Sequence, residues 1–390
     1  TRLRRFFSVA EPTLPNDISL RHLKWAWVAF SVALLIRLLS VFAVDIELKP
    51  RSLEAGYIDG VATLASGNTL LMWTPDAMFT SSIAMMTALE ASGSRLSKAN
   101  PYPPDNNGWV PATLHPPGYS ILLWGYYELG NTSGMLLLAK ITAAVLDAVV
   151  CVLLFSFGRN LFSARIGLYS AWIYALLPTA IALNLQLLPD AYARFFAALV
   201  LTLASYTRKG RPWAMPAAGF AAGIGFYFRA EFLIWPLILW LCLLFDSRQI
   251  RRSTLLSLLA STFTLLAILP WTVWTYHSTG RALLSTSGAG GAMYESLGEI
   301  SSNPWDIILN DDLLVKHART IGFKTAWTPS ADEHYKRLWI GAILKEPGFY
   351  LRTVLTQRLP LALIPPFSHR HAKAEDSNLA KIQQVEHLTT

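Results

Sequence analysis

Charged residues are scarce in this chain. Only 15% of its 390 residues are Asp, Glu, Lys or Arg, where a soluble domain carries roughly 25%. Acids are the scarcer sign: 25 against 33 Lys and Arg, a formal net charge of +8. The basic residues are dispersed between apolar blocks rather than gathered in one stripe, which argues against a nucleic-acid partner. Cysteine is nearly absent. Cys151 and Cys242 both fall inside apolar blocks and read as small core residues, not as a disulfide. No His, Cys, Asp or Glu spacing suggests a metal site, so no metal ligands and no cofactor are expected; a divalent cation is left open. A phosphate loop is missing too. "SGAGG" at 287–291 lacks the Lys-Ser/Thr ending and reads as a flexible loop, or alternatively a mobile flap. The basic start "TRLRRFF" runs into a polar, proline-bearing stretch, so no cleavable signal peptide is expected.

What is abundant is apolar sequence: 53% hydrophobic residues and a mean hydropathy of +0.36. It comes in blocks near the ~20 residues needed to span a bilayer. Seven blocks read as spans: 24–44, 133–158, 165–184, 186–206, 212–228, 230–246 and 253–275. An eighth candidate, 115–130, begins "HPPG". Clusters of Lys and Arg lie at the N-terminus (Arg2, Arg4, Arg5, Arg21, Lys24), at Arg159 and Arg165, at Arg208, Lys209 and Arg211, and at Arg248, Arg251 and Arg252. Clustered positive charge stays cytoplasmic. All four clusters do so only if 115–130 does not cross. The prolines agree, since Pro116 and Pro117 can start a helix but cannot continue one.

The expected fold is therefore an all-α polytopic membrane protein of about seven transmembrane helices. Its N-terminus is cytoplasmic, and its two long non-spanning regions, 45–132 and 276–390, lie on the periplasmic, extracellular or lumenal side. Stretches 53–66 and 78–92 read as amphipathic helices lying horizontally in the first outer loop. The organisation expected is a core at 1–275 that includes the outer loop 45–132, an outer region with an amphipathic helix at 276–366, and a polar tail at 367–390. Intramembrane Arg37, Lys140 and Asp147 read as structural. Lys140 and Asp147 are about 10 Å apart by helical rise, so partners on other helices are expected for them.

Several stretches resemble one family in order and spacing: "SLEAGYIDGVATLASGN", "HPPGYSILL", "LQLLPDAYARFFAAL", "GFYFRAEFLIWP" and "LPWTVWTYHSTGRALLSTSGAGG". Together, over about residues 20–360, they resemble the integral-membrane GT-C glycosyltransferases, such as protein O-mannosyltransferases and the bacterial aminoarabinose transferases of lipid A. The resemblance implies transfer of a sugar from a polyprenyl-phosphate carrier to an acceptor lipid, glycan or protein outside, with inversion. It implies a seven-span core with horizontal helices after the first span, and a lipid bilayer as partner.

Such a reaction needs a carboxylate base for the acceptor and cations for the departing lipid phosphate. In the family an Asp-Glu pair precedes a Tyr. Here that Tyr is Tyr57 and the pair's positions hold Leu53 and Glu54, so the first acid is missing. Glu54 becomes the leading base, with Glu47 and Asp45 behind it and Asp59 last. Asp190 is either a helix cap or a second acid facing the cavity. Arg229, with Glu231 nearby, sits in an outer turn and suits phosphate; the plainer reading is a local pair with Glu231. His115 is a hydrogen-bond donor to the same group. Tyr276, His277 and Arg281 follow the seventh span as weaker substrate contacts or interface anchors. The missing first acid keeps a rival reading open: a non-catalytic scaffold or lipid-binding subunit within a membrane complex. A transporter is a weaker rival, since no internal repeat is visible.

Overall fold

A computed structural model describes residues 20–43, 53–73, 82–98, 109–211, 213–247, 250–298, 304–305, 307 and 311–359. Asp45 and Glu47 lie outside the described residues, as do the side chain of Glu54 and the polar tail at 367–390. The chain divides into two compact units, Thr1–Thr286 and Ser287–Thr390.

The first unit is almost entirely helical. In chain order come α1 (Leu20–Ala43), α2 (Leu53–Ala65), α3 (Ser82–Ala91), α4 (Gly118–Leu129), α5 (Thr132–Leu161), α6 (Ala164–Ala175), α7 (Pro178–Leu183), α8 (Asp190–Ser205), α9 (Ala214–Phe226), α10 (Trp235–Ser247) and α11 (Ile250–Thr279). Two three-residue strands, β1 (Leu71–Trp73) and β2 (Trp109–Pro111), pair antiparallel with Met72 opposite Val110. Three of the helices are long and apolar enough to cross a membrane: Arg21–Ala43, Thr132–Leu161 and Ile250–Thr279. They expose large apolar side chains such as Leu39, Phe42 and Leu266, as a lipid-facing surface does. This is an all-α polytopic membrane protein.

Four expected spans come out shorter or interrupted. Block 165–184 is two helices, because Pro178 has no N–H for the helix before it and starts a new one. Block 186–206 keeps only the 16 residues of α8, and block 212–228 the 13 of α9. Block 230–246 opens with a 3₁₀ turn, Ala230–Ile234, before α10. Segment 115–130 yields the 12-residue α4, about 18 Å long by helical rise and short of the ~30 Å hydrocarbon core.

Small residues set how closely the helices approach. In "AAGFAAGIGF", a Cβ on Gly219 would lie 2.1 Å from the carbonyl oxygen of Ala260 on α11. Thr264 then donates its hydroxyl to the Gly219 carbonyl at 2.8 Å. Close backbone contact of this kind is how helices associate where no water drives them together. Stretch 53–66 is not amphipathic in its setting: Tyr57, Ile58, Asp59, Val61, Ala62, Thr63 and Ala65 are all buried, because α4, α3 and β1 cover α2 from several sides. Cys151 is buried as expected, whereas Cys242 is exposed; both are free.

The second unit comprises α12 (Ala289–Gly298), α13 (Asp311–Thr320), α14 (Pro329–Lys345) and α15 (Pro347–Thr353), which runs on as a π-helical turn, Val354–Arg358. α13 is amphipathic, with Leu314, Val315 and Ala318 buried and Lys316 exposed. "SGAGG" is not a flexible loop. Its last three residues open α12, whose Gly290 accepts no side chain because a Cβ would meet the Asp332 carbonyl at 2.1 Å. The Gly290 N–H donates to Asp332 Oδ1 at 2.6 Å.

Candidate active site

The "HPPG" turn is built to dock rather than to cross. Helix starts leave N–H groups without partners. Pro116 and Pro117 have none to leave, and the Gly118 N–H finds the Tyr227 carbonyl at 2.8 Å. Only glycine fits there: a Cβ on residue 118 would lie 2.5 Å from that oxygen. The contact fastens the start of α4 onto the turn at 227–229, and so His115 onto the neighbourhood of Arg229.

Arg229 Nη2 donates to Asp190 Oδ1 at 2.5 Å, with the Arg side chain 40% and the Asp side chain 19% exposed. The ion pair is therefore long-range in sequence and does not involve Glu231. Asp190 is not a cap either. Pro189 holds the N-cap position, and no side chain caps the helix. The second Asp190 oxygen, Oδ2, is shut off from solvent without a hydrogen-bond partner among the described residues.

An aromatic ladder ties these groups together. His115 stacks on Tyr57 with ring centroids 5.0 Å apart. Tyr57 meets Tyr119 edge-on at 5.1 Å, Tyr119 meets Tyr192 at 5.6 Å, and Tyr192 stacks on Phe228 at 5.0 Å. The ladder thus runs from α2 through α4 and α8 to the residue before Arg229. Beside it a small pocket is lined by Tyr57, Leu70, Met72, Leu114, His115 and Ser120.

Electrostatics follow from this packing. Burial, reinforced by the Arg229 guanidinium, lowers the His115 pKa to about 4, so the ring is neutral at physiological pH. Its Nε2 is buried and without a hydrogen-bond partner among the described residues. A neutral imidazole offers one donor and one acceptor. Burial also pushes the Tyr57 phenol well above its ordinary value, although Arg229 pulls the other way. Tyr57 therefore stays protonated and can only donate or accept a hydrogen bond.

The structure brings Tyr57, His115, Asp190 and Arg229 into one constellation. Residue 54 falls in the first turn of α2, three positions before Tyr57. Tyr276 and His277 are exposed in the last turn of α11 and contact each other edge-on. Arg281 lies in the exposed turn beyond, its N–H directed to the Thr279 hydroxyl. Sequence reasoning missed Tyr119, Tyr192 and Phe228. The clue was present in Tyr119 and Tyr192, each close in sequence to a candidate, but an aromatic in an apolar run carries no signal of its own.

A second polar cluster lies in the helix bundle. Arg37 Nε donates to Asp147 Oδ2 at 2.5 Å, with both side chains fully buried. Arg194 Nε donates to Asp147 Oδ1 at 2.7 Å. The Tyr174 hydroxyl reaches the same oxygen at 2.5 Å, and Asn184 Nδ2 donates to Oδ2 at 3.3 Å. Partners from other helices were expected for Lys140 and Asp147, and Asp147 has two, Arg37 and Arg194; Arg194 carries no signal in the sequence because it sits among apolar residues one turn after Asp190. Among the described residues, no group of three or more His, Cys, Asp or Glu could hold a metal ion.

No curated protein and no solved structure matches the chain. Residues 114–274 match the family model described as dolichyl-phosphate-mannose-protein mannosyltransferase, a family of GT-C type. The matched stretch, less than half of the chain, contains His115, Asp147, Asp190, Arg194 and Arg229, and its likeness to that family supports a membrane glycosyltransferase of the GT-C type.

Proposed function

We propose that the protein transfers a sugar from a polyprenyl-phosphate carrier to an acceptor on the non-cytoplasmic side of the membrane, with inversion. The observation that carries this reading is the Asp190–Arg229 pair held against neutral His115 and Tyr57. The reaction separates a sugar from a lipid phosphate, and an arginine fixed by a carboxylate yet 40% exposed is suited to receive that phosphate. The family match is to transferases named for a dolichyl-phosphate sugar.

In the proposed step an acceptor hydroxyl attacks the anomeric carbon from the face opposite the phosphate. Its proton passes to a carboxylate of the first outer loop, Glu54 foremost, with Glu47 and Asp45 as the neighbours able to replace it. The bond from the anomeric carbon to the phosphate oxygen breaks, and the bonding pair leaves with the lipid phosphate. Arg229 neutralises that charge. Asp190 aims the guanidinium, and His115 donates a hydrogen bond to a phosphate oxygen without adding charge. The membrane side rests on the charge pattern of the loops.

The test is release of free polyprenyl phosphate by purified protein in liposomes containing a polyprenyl-phosphate sugar and a pool of acceptors. Wild type is expected to release it, and Glu54→Gln and Arg229→Ala are not. Release undiminished in Arg229→Ala would overturn the phosphate assignment. Absence of release by wild type across donors and acceptors would favour the scaffold reading, to which Leu53 at the position of the family's first acid also points.

A further inference from the structure

The Arg37–Asp147–Arg194 cluster does not balance its charge. Two guanidinium groups face one carboxylate, and no other carboxylate bonds either arginine among the described residues. The side chains sum to +1, and arginine does not shed its proton to relieve this. Charge at membrane depth is costly and is normally partnered.

The two arginines differ in what remains free. Arg37 is fully buried and committed: Nε to Asp147, Nη1 to the carbonyls of Ala33 and Ala175, Nη2 to the Tyr174 carbonyl. Arg194 gives Nε to Asp147 and Nη2 to Asn184 Oδ1, while Nη1 makes no hydrogen bond among the described residues. Its side chain is 21% exposed. Of the three charged side chains only Arg194, which also lies against Tyr174, is exposed, so the surplus charge reaches the surface there. Tyr174, which joins the cluster, is flanked along the chain by Ile173, Leu176 and Leu177, all exposed and apolar. Helix α6 ends there, and α7 does not resume until Pro178.

We infer that Arg194 holds the phosphate of a lipid. A guanidinium edge matches phosphate oxygens, the bound anion would offset the cluster's surplus positive charge, and the exposed apolar residues beside it suit the acyl or prenyl chain. The site needs no catalysis and does not rest on the transferase reading. Two sources share this chemistry, an anionic bilayer phospholipid and a polyprenyl phosphate.

The test uses the full chain, delipidated in detergent and titrated separately with phosphatidylglycerol, polyprenyl phosphate, diacylglycerol and inorganic phosphate, with occupancy read by native mass spectrometry. Wild type is expected to hold one lipid phosphate that Arg194→Gln binds at least tenfold more weakly, and Arg194→Lys is expected to recover part of the loss. Arg194→Gln leaves Arg37 and Asp147 as a balanced pair. Whichever lipid phosphate binds more tightly names the source. Equal occupancy in wild type and Arg194→Gln, equal binding of diacylglycerol, or saturation by inorganic phosphate alone would each overturn the inference. Should Arg194→Gln not fold, a photoactivatable lipid phosphate on wild type decides: crosslinks within residues 190–205 support the site, and crosslinks confined to other segments overturn it.

Discussion

Asp190 and Arg194 stand one turn apart on α8, and each is bonded to an opposite charge from another part of the chain. Asp190 accepts from Arg229 and Arg194 donates to Asp147. One helix thus links a half-exposed ion pair at its start to a buried cluster one turn deeper. The two pairs make different demands, and substitutions should separate them.

Arg229→Ala removes the cation assigned to the leaving phosphate. Loss of one such charge-stabilising group typically costs 10²–10³ in turnover, so polyprenyl-phosphate release should fall at least ~100-fold. The pair is partly solvated, and thermal unfolding should shift little. A variant that melts like wild type and turns over like wild type would remove Arg229 from the site.

Asp147→Ala strips two arginines of their shared carboxylate. Breaking a buried pair costs about 3–5 kcal/mol, which corresponds to a drop of roughly 10 °C in Tm. Arg194→Gln, which leaves a balanced pair, should cost much less. Thermal unfolding in detergent compares the two, and equal shifts would contradict the charge argument.

Gly118→Ala places a Cβ 2.5 Å from the Tyr227 carbonyl. The start of α4 must move, carrying His115 away from Arg229. Turnover should fall by about tenfold or more, as misplacement near 1 Å can cost 10²-fold. Gly125→Ala on the same helix meets nothing within 4 Å and should leave turnover intact while raising Tm slightly.

His115 gives a pH dependence of known sign. Its folded pKa, about 4, is below the ordinary 6.5. Above pH 6.5 the ring is neutral in both states and its contribution to stability is complete. As pH falls from 6.5 towards 4 the unfolded chain takes up a proton that the folded one refuses, and stability is lost. Tm measured across that window should fall less steeply in His115→Phe than in wild type. Identical slopes would show that the ring is not buried as described.

Composition and apolar block length were enough to determine that the chain is an all-α membrane protein. Both report on the solvent each segment must tolerate, which is a local property. The ordering of "HPPGYSILL", "LLPDAYAR" and "GFYFRAEF" likewise carried the family resemblance. The sequence could not say that Arg229 pairs with Asp190 rather than Glu231, two residues away. Nor could it say that Asp147 collects Arg37 and Arg194, or that "SGAGG" opens a packed helix with its last three residues instead of hanging as a loop. Those outcomes depend on which helix faces approach within hydrogen-bonding distance. Residues 37, 147 and 194 are far apart along the chain, and only the packing of α1 and α8 against α5 brings them together. Tertiary structure alone made an isolated charge in an apolar block into one member of an unbalanced cluster.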